Sequence, residues 1–228
     1  MINYQGDIIE LKALPVQDVK RATMYGDAVF ETIRMRDNKL LFVEDHYFRL
    51  MASMRILRMP IPMEFTPEFF VHEANRLAEE VAVTDGRLRL QVVRKSEGKY
   101  TPDNNNECVW WMELEELGSQ DYTWTSKGLK VDLFKDHYIQ PGLLSTLKSS
   151  NALPYVLAGI FAKENGFDAM LLVNDKKMLV EANAANIFVL KDNILKTAPL
   201  EDGPLRGVFR KNLIGWAKEI GLEIKEES

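Results

Sequence analysis

The chain has 228 residues, a length that allows one large domain or two small ones. Hydrophobic residues make up 46% of the chain, which excludes a mainly disordered protein. The net charge of -5 argues against a nucleic-acid-binding protein. The chain has one cysteine and three histidines without metal-ligand spacing, so we expect no disulfide and no metal. It has no signal peptide and no membrane-spanning run, so we expect a cytoplasmic protein with no membrane partner.

The first half of the chain shows the patterns of mixed helix and strand. Strands are predicted where apolar and polar residues alternate, and helices where apolar residues recur every three or four positions. Thr66 is a suitable N-cap, and Pro67 suits a first helical position. In chain order we predict a strand over Val29–Met35, a turn at Asp37–Lys39, a strand over Leu40–Val43, helices over Glu44–Leu57 and Pro67–Val81, and strands over Arg87–Val93 and Cys108–Leu114.

The polar segment that follows suggests a division into two domains. We predict an N-terminal α/β domain over residues 1–117, a linker over 118–128 and a C-terminal domain over 129–228. Asn151 is the expected N-cap of a helix that Gly166 ends. In chain order this half is predicted to contain a strand over Leu129–Phe134, a helix over Ala152–Asn165, strands over Ala169–Val173, Met178–Val180, Ala185–Leu190 and Ile194–Thr197, and a helix over Leu205–Ile220.

Two isolated charges are the most informative feature of the sequence. Lys148 is the only charged residue from Ile139 to Ala162, and Glu181 is the only one from Met178 to Leu190. Each of them, taken alone, is explained equally simply as an exposed side chain. Taken together they match the needs of pyridoxal phosphate, which requires a lysine for its Schiff base and an acid for its pyridinium nitrogen.

Such a cofactor also requires a phosphate site, and two segments could supply it. Arg49 lies one helical turn after His46 on the same face, although it is also explained as a surface arginine paired with Asp45. The segment Pro204–Arg210 begins a helix, whose free amides can bind phosphate, but every helix has such an end.

Five segments of the chain are informative when they are taken together and in order. They are Tyr25–Arg34, His46–Leu50, Leu147–Asn151, Glu181–Phe188 and Gly207–Arg210. In this order they resemble the class IV aminotransferase family, the fold-type IV pyridoxal-phosphate enzymes, which includes branched-chain and D-amino-acid aminotransferases and 4-amino-4-deoxychorismate lyase. The resemblance implies an α+β fold of two domains, with a smaller N-terminal α/β domain and a larger C-terminal mixed β domain. The latter is expected to be short or truncated, because relatives usually continue beyond this point.

The resemblance also implies roles for individual residues. Lys148 would form the Schiff base with pyridoxal 5'-phosphate and then move the proton at the substrate's α-carbon. Glu181 would pair with the pyridinium nitrogen and Arg49 would bind the phosphate. The residues that would complete the cofactor site are Asn186, which supports the strand geometry, and Val208 and Phe209, whose backbone amides contact the phosphate. Phe209 stands where the family often has a threonine.

The substrate site and the assembly are implied in the same way. Phe30, Lys99, Tyr100 and Ala184 would lie beside the substrate, with Lys99 and Tyr100 at the position where family members often bind the substrate carboxylate. A homodimer is implied, because family sites usually lie near a dimer interface. The substrate would be a small amino acid or a molecule like aminodeoxychorismate.

The sequence leaves three functions open. The first is an aminotransferase that acts on an amino acid and a 2-oxo acid. The second is a 4-amino-4-deoxychorismate lyase, which eliminates pyruvate and gives 4-aminobenzoate, favoured by Ala184–Asn186 and Gly98–Tyr100. The third is an inactive homologue on the same fold.

Overall fold

The computed structural model describes residues 1–118 and 126–228, so most of the predicted linker over 118–128 lies outside the described residues. The described residues form a mixed helix and sheet structure, which confirms the predicted fold class. The chain divides into two compact units, Met1–Thr123 with Lys148–Asn151, and Trp124–Leu147 with Ala152–Ser228. The first unit takes in more of the chain than the second, which differs from the expected order of sizes.

Both units contain helices and strands, and their bounds follow in chain order. The helices are α1 Val16–Tyr25, α2 Val43–Ile56, α3 Pro67–Val81, α4 Leu153–Asn165 and α5 Val208–Glu219. The strands are β1 Ile2–Tyr4, β2 Asp7–Ile9, β3 Ala28–Arg36, β4 Lys39–Leu40, β5 Gly86–Lys95, β6 Glu107–Glu116, β7 Val131–Ile139, β8 Ala169–Asn174, β9 Leu179–Ala182, β10 Ala185–Asn186, β11 Val189–Lys191, β12 Ile194–Thr197 and β13 Glu223–Glu226.

An antiparallel six-stranded sheet is the frame of the first unit. Its strands lie in the order β2-β1-β6-β5-β3-β4. Helices α2 and α3 contribute Leu50, Met54 and Leu77 to a core that also contains Ile33 and Met35 of β3. Burying these apolar side chains stabilises the unit by roughly 1.5–3 kcal/mol for each large one. Because successive side chains of a strand point to opposite faces, alternate residues of β3 face this core, and the residues between them face the other side of the sheet.

Local sequence signals account for the position of α3. Thr66 has extended backbone geometry, and its hydroxyl accepts a hydrogen bond from the amide of Phe69 at 3.1 Å. Pro67 occupies the first turn, where its missing N–H costs nothing. The predicted N-cap and first helical position are both confirmed.

A short segment from later in the chain joins the first unit through backbone pairing. The amide of Phe30 donates to the carbonyl of Lys148 at 2.9 Å, and the amide of Ser150 donates to the carbonyl of Ala28 at 3.0 Å. Ser149 thereby forms an antiparallel bridge with Val29. The predicted C-terminal domain included Lys148, but this pairing explains why Lys148–Asn151 is grouped with the first unit.

The second unit is built from two smaller sheets, each containing a pair of parallel strands. The first has the order β10-β9-β8-β7, and α4 connects its parallel strands β7 and β8. The second has the order β11-β12-β13, and α5 connects its parallel strands β12 and β13. Parallel neighbours require such crossover connections. The core beside α4 contains Phe134, Ala158, Met170, Leu172 and Val180.

Several predicted boundaries are wrong. Ala152 is the N-cap of α4, because the side-chain amide of Asn151 instead donates to the carbonyl of Gly26 at 3.2 Å. The predicted strand Ala185–Leu190 is two strands, β10 and β11, which pair in different sheets. The predicted helix Leu205–Ile220 begins only at Val208, since the backbone before it is held by other hydrogen bonds.

Replacing the α3 cap tests the local origin of this helix. We expect Thr66→Ala to lower the free energy of unfolding by about 1 kcal/mol, because the amide of Phe69 loses its acceptor. Urea denaturation monitored by circular dichroism measures the change. Thr23→Ala, which removes a hydroxyl that bonds within the exposed part of α1, is the matched control and should change stability by less than about 0.5 kcal/mol. Equal losses in the two variants would contradict the capping role.

Candidate active site

The amine of Lys148 lies beside an aromatic ring of β3. Its Nζ is 4.6 Å from the centroid of the Phe30 ring, and the guanidinium carbon of Arg89 is 4.0 Å from the same centroid. Cations at such distances are attracted by the negative face of an aromatic ring. Phe30 and Lys148 are therefore brought together, whereas sequence reasoning gave no reason to single out Arg89.

The backbone around the lysine is held by a buried amide. Gln91 of β5 donates from Nε2 to the hydroxyl of Ser150 at 3.1 Å and to the carbonyl of Val29 at 3.3 Å. Gln91, a residue of the neighbouring strand β5, thus connects the lysine segment to β3. Because these bonds add to the backbone pairing, the position of Lys148 is fixed by both strands.

Arg49 forms an ion pair with Glu31 in the interior of the first unit. Arg49 Nε donates to Glu31 Oε1 at 2.8 Å, and a second guanidinium nitrogen donates to Oε2. His46 Nδ1 lies 2.7 Å from the same Oε2. Only 9% of the Arg49 side chain is exposed, so the interpretation of Arg49 as a surface residue is wrong.

The charge of Glu31 depends on these two partners. Burial by itself would raise the pKa of Glu31, but the hydrogen bonds and charges of Arg49 and His46 outweigh it and hold the pKa below its ordinary value. Arg49 therefore has an ionised partner at neutral pH. The two-pronged bond also fixes the plane of the guanidinium, since an arginine fork matches a carboxylate.

Lys99 and Tyr100 lie on a loop that is tied to the turn before β3. The carboxylate of Asp27 accepts hydrogen bonds from Arg21 at 2.8 Å and from Arg94 at 2.9 Å. Arg21 also donates to the carbonyl of Lys99 at 2.9 Å. Tyr100 is 89% exposed, and the side chain of Lys99 is exposed as well. The cluster therefore fixes the backbone of this loop and leaves both side chains open to a ligand.

In the second unit, Glu181 is buried with both carboxylate oxygens hydrogen-bonded. It lies on β9 and is only 2% exposed. The hydroxyl of Tyr155 donates to Oε1 at 2.7 Å, and the amide of Leu205 donates to Oε2 at 3.0 Å. The interpretation of Glu181 as a solvent-facing residue is therefore wrong. The two donors, one at each oxygen, fix the position of the carboxylate.

Asn186 connects the same strand pair to the start of α5. It is paired with Glu181 across β9 and β10, and its side-chain amide donates to the carbonyl of Leu205 at 2.9 Å. A Cβ atom on Gly207 would lie 1.9 Å from Asn186 Oδ1, so a larger residue there would force the Asn186 side chain or the backbone to shift. The strand pair thereby fixes the residues immediately before the helix.

The N-terminus of α5 offers backbone amides. Gly207 is its N-cap and makes no side-chain capping bond, and Val208 and Phe209 are its first two residues. Val208 is buried, whereas Phe209 is 59% exposed and its ring contacts Trp216 at 5.7 Å between centroids. The positive end of the helix dipole and the free amides favour an anion at this point.

The turn between β9 and β10 contains the last predicted residue. Ala184 is exposed in this turn. Asn183, the residue before it, accepts a hydrogen bond from the amide of Met170 at 3.0 Å and so belongs to the packing of β8. Whether Ala184 contacts a substrate stays a prediction.

Sequence reasoning missed Glu31, Tyr155 and Leu205. Glu31 lies on the same face of β3 as the apolar residues Val29 and Ile33. A charged residue at a position where the alternation requires an apolar one was the available signal. Tyr155 lies within an ordinary apolar helix, and Leu205 acts through its backbone amide. Neither of the last two has a signal in a single sequence.

The groups present suit pyridoxal 5'-phosphate. The first unit carries an amine next to an aromatic ring and a buried arginine. The second carries a buried acid with hydrogen-bonded oxygens and a helix N-terminus whose N-cap glycine lies close to the Asn186 side chain. Amine, ring-nitrogen acid and phosphate-binding groups are the set that this cofactor requires.

The comparisons with known proteins agree with this chemistry. The family model for class IV amino-transferases matches residues 28–228, and the chain therefore belongs to the class IV aminotransferase family. Its enzymes depend on pyridoxal phosphate. A Methanocaldococcus jannaschii protein provisionally named as a branched-chain-amino-acid aminotransferase is 31% identical over 99% of this chain and 77% of its own length. D-alanine aminotransferases are also among the relatives.

Solved structures share the fold. The branched-chain amino acid aminotransferase of Thermus thermophilus with pyridoxamine 5'-phosphate has a TM-score of 0.84 and 21% identity, over 99% of this chain and 76% of its own. A Legionella pneumophila protein provisionally named as a 4-amino-4-deoxychorismate lyase has a TM-score of 0.83 and 24% identity, over 96% of this chain and 80% of its own. No helix among the described residues is long and apolar enough to cross a membrane.

The buried pair predicts a specific pH dependence of stability. We expect Glu31→Gln to lower the free energy of unfolding by about 3 kcal/mol at pH 7, because the buried side chains of Arg49 and His46 both lose the charge of the carboxylate that they contact. The lowered pKa of Glu31 stabilises the native state above the unfolded value of about 4.3, and this contribution is lost as the pH falls through the folded value. The difference between wild type and variant should therefore shrink as the pH falls from about 5 to 3.

Urea denaturation at several pH values measures this difference. Glu115→Gln, which breaks the exposed pair with Arg87, is the control and should cost less than about 1 kcal/mol at any pH. A difference between wild type and Glu31→Gln that stayed constant down to pH 3 would contradict the assignment.

Replacing Gly207, the N-cap of α5, or Gly215, inside α5, tests whether the close contact at the N-terminus of α5 matters for cofactor binding. We expect Gly207→Ala to weaken pyridoxal phosphate binding at least tenfold, because the new methyl group would displace Asn186 or the helix N-terminus. Gly215→Ala, inside the same helix with no neighbouring atom near its Cβ position, should leave binding unchanged and stabilise the helix by about 1 kcal/mol. Equilibrium dialysis measures the affinity, and equal affinities in the two variants would contradict the importance of the close contact.

Proposed function

We propose that this protein is a pyridoxal-phosphate-dependent aminotransferase that moves an amino group between an amino acid and a 2-oxo acid through Lys148. The observation that carries the proposal is the buried carboxylate of Glu181, held by hydrogen bonds at both oxygens. A carboxylate held in this way is a suitable partner for a cationic N–H group, as a protonated pyridine presents. Membership in the family and the aminotransferase relatives support it.

Each residue has a distinct task in this proposal. The amine of Lys148 would hold the cofactor at its aldehyde carbon, and the same amine, once free, would remove and return the proton at the substrate's α-carbon. Glu181 would hold a proton at the ring nitrogen. Arg49 and the amides of Val208 and Phe209 would bind the phosphate. When bound, pyridoxal phosphate supplies an electron sink for the negative charge that develops at the α-carbon.

If Lys148 carries the cofactor, the residues near its amine border the substrate. Phe30 limits the space beside the Lys148 amine, because its ring lies 4.6 Å from Nζ. Lys99 offers a cation for the substrate carboxylate, and Tyr100 and Ala184 border the substrate. Asn186 fixes the strand pair and the start of α5.

A lyase that releases pyruvate from 4-amino-4-deoxychorismate is the second candidate. The likeness to the Legionella pneumophila structure favours it. Lys148 would perform the same proton removal, and a leaving group would then depart from the neighbouring carbon. Two assays separate the candidates, one for 4-aminobenzoate release from aminodeoxychorismate and one for amino transfer to 2-oxoglutarate or pyruvate.

Trapping the lysine tests the proposal directly. We expect borohydride treatment of the cofactor-loaded protein to fix one phosphopyridoxyl group on Lys148, seen by mass spectrometry of its peptides. Lys148→Ala should abolish turnover and the absorption band of the bound cofactor. Lys191→Ala, a substitution of an exposed lysine in β11, is the control and should retain both. Near-normal turnover in Lys148→Ala, or a label elsewhere, would refute the assignment.

The assembly and location of the protein are part of the proposal. We infer a homodimer from the resemblance to the family, and a cytoplasmic location from the single cysteine and the lack of a targeting signal in the sequence. Light scattering coupled to size-exclusion chromatography measures the first, and a mass equal to one chain would contradict it.

A further inference from the structure

Tyr155 meets Glu181 from the helix α4. Its hydroxyl donates to Glu181 Oε1 at 2.7 Å, while the ring packs against the core formed by Phe134, Met170 and neighbouring side chains. This packing restricts the ring, so the hydroxyl is presented to the carboxylate from a fixed direction. Tyr155 is not among the residues assigned to the cofactor or the substrate above.

A second donor reaches the other oxygen of the same carboxylate. The amide of Leu205 donates to Oε2 at 3.0 Å, and the carbonyl of Leu205 accepts from Asn186 at 2.9 Å. The carboxylate therefore has one donor from a helix side chain and one from the backbone before α5. The terminal torsion of a glutamate is otherwise broad, and two donors at different oxygens restrict it.

We propose that Tyr155 is a positioning residue that orients the Glu181 carboxylate toward the cofactor's ring nitrogen. The inference rests on the role of Glu181 in the proposed function. Without the hydroxyl, the carboxylate would lose the contact that holds Oε1 in this arrangement. The acid could then rotate away from the orientation in which it binds an N–H group.

The ionisation of the tyrosine is consistent with this task. Burial, and then the charge and hydrogen bond of Glu181, raise the pKa of Tyr155 far above its ordinary value. The hydroxyl therefore remains a proton donor throughout the physiological pH range. A donor that never ionises keeps the carboxylate in one orientation at every pH at which the enzyme works.

A double-mutant cycle on cofactor affinity tests the proposal. The four proteins are wild type, Tyr155→Phe, Glu181→Gln and the double variant, and equilibrium dialysis measures the Kd for pyridoxal 5'-phosphate. We expect Tyr155→Phe to weaken binding about fivefold in the presence of Glu181, as the loss of one hydrogen bond would. In the Glu181→Gln background the same substitution should weaken binding less than about twofold. A residue that merely stabilises the fold would have the same effect in both backgrounds.

Tyr138→Phe is the matched control, because it removes a hydroxyl from an exposed tyrosine of the same unit. It should leave the Kd unchanged. A Kd for Tyr155→Phe equal to that of the control, or an equal loss in both backgrounds, would overturn the role of Tyr155.

The cycle also distinguishes this inference from the proposed function. If Glu181→Gln alone binds the cofactor as tightly as wild type, the assignment of Glu181 to the ring nitrogen fails, and the role of Tyr155 fails with it. If Glu181→Gln weakens binding and borohydride labels Lys148, the proposed function stands whatever Tyr155→Phe shows.

Discussion

The antiparallel pairing of the Lys148 segment with the start of β3 is the interaction on which the candidate chemistry depends. Two backbone hydrogen bonds, from Phe30 and Ser150, carry this pairing, and Gln91 adds side-chain bonds to it. Backbone hydrogen bonds fix the position of the Lys148 segment, whichever side chains the paired residues carry. The amine of Lys148 therefore lies beside the Phe30 ring because the two backbones are paired, and the attraction between amine and ring adds to that arrangement.

Strand β3 also serves two purposes because successive side chains point to opposite faces. Phe30 faces the lysine, while Glu31 faces the helices and holds His46 and Arg49. An acid on the core side of a strand would be costly if it were alone. The arginine fork and the histidine offset that cost, and in return the acid fixes the plane of the Arg49 guanidinium. One strand thus positions both the amine and the proposed phosphate-binding cation.

The sequence predicted those parts of the fold that have strong local signals. Helices α2 and α3 follow from apolar periodicity, and Thr66 and Pro67 mark where α3 begins. Helix α1 was missed because its buried side chains, Asp18 and Arg21, are polar and its N-cap is a proline without a capping side chain. The isolation of Lys148 and Glu181 among apolar residues indicated two unusual environments, but the partners of Glu181 depend on how the chain packs and could not be predicted from spacing.

The peptide group of Leu205 shows why part of the site is invisible in a single sequence. Its amide bonds to Glu181 and its carbonyl to Asn186, so one peptide unit connects a buried acid to the start of α5. Any residue other than proline could supply these two backbone groups, and the identity of the side chain therefore carries no signal. The neighbouring Gly207 does carry one, because a Cβ atom there would collide with Asn186. The glycine at position 207 is therefore the one sequence signal here of a close contact between the backbone before α5 and the Asn186 side chain.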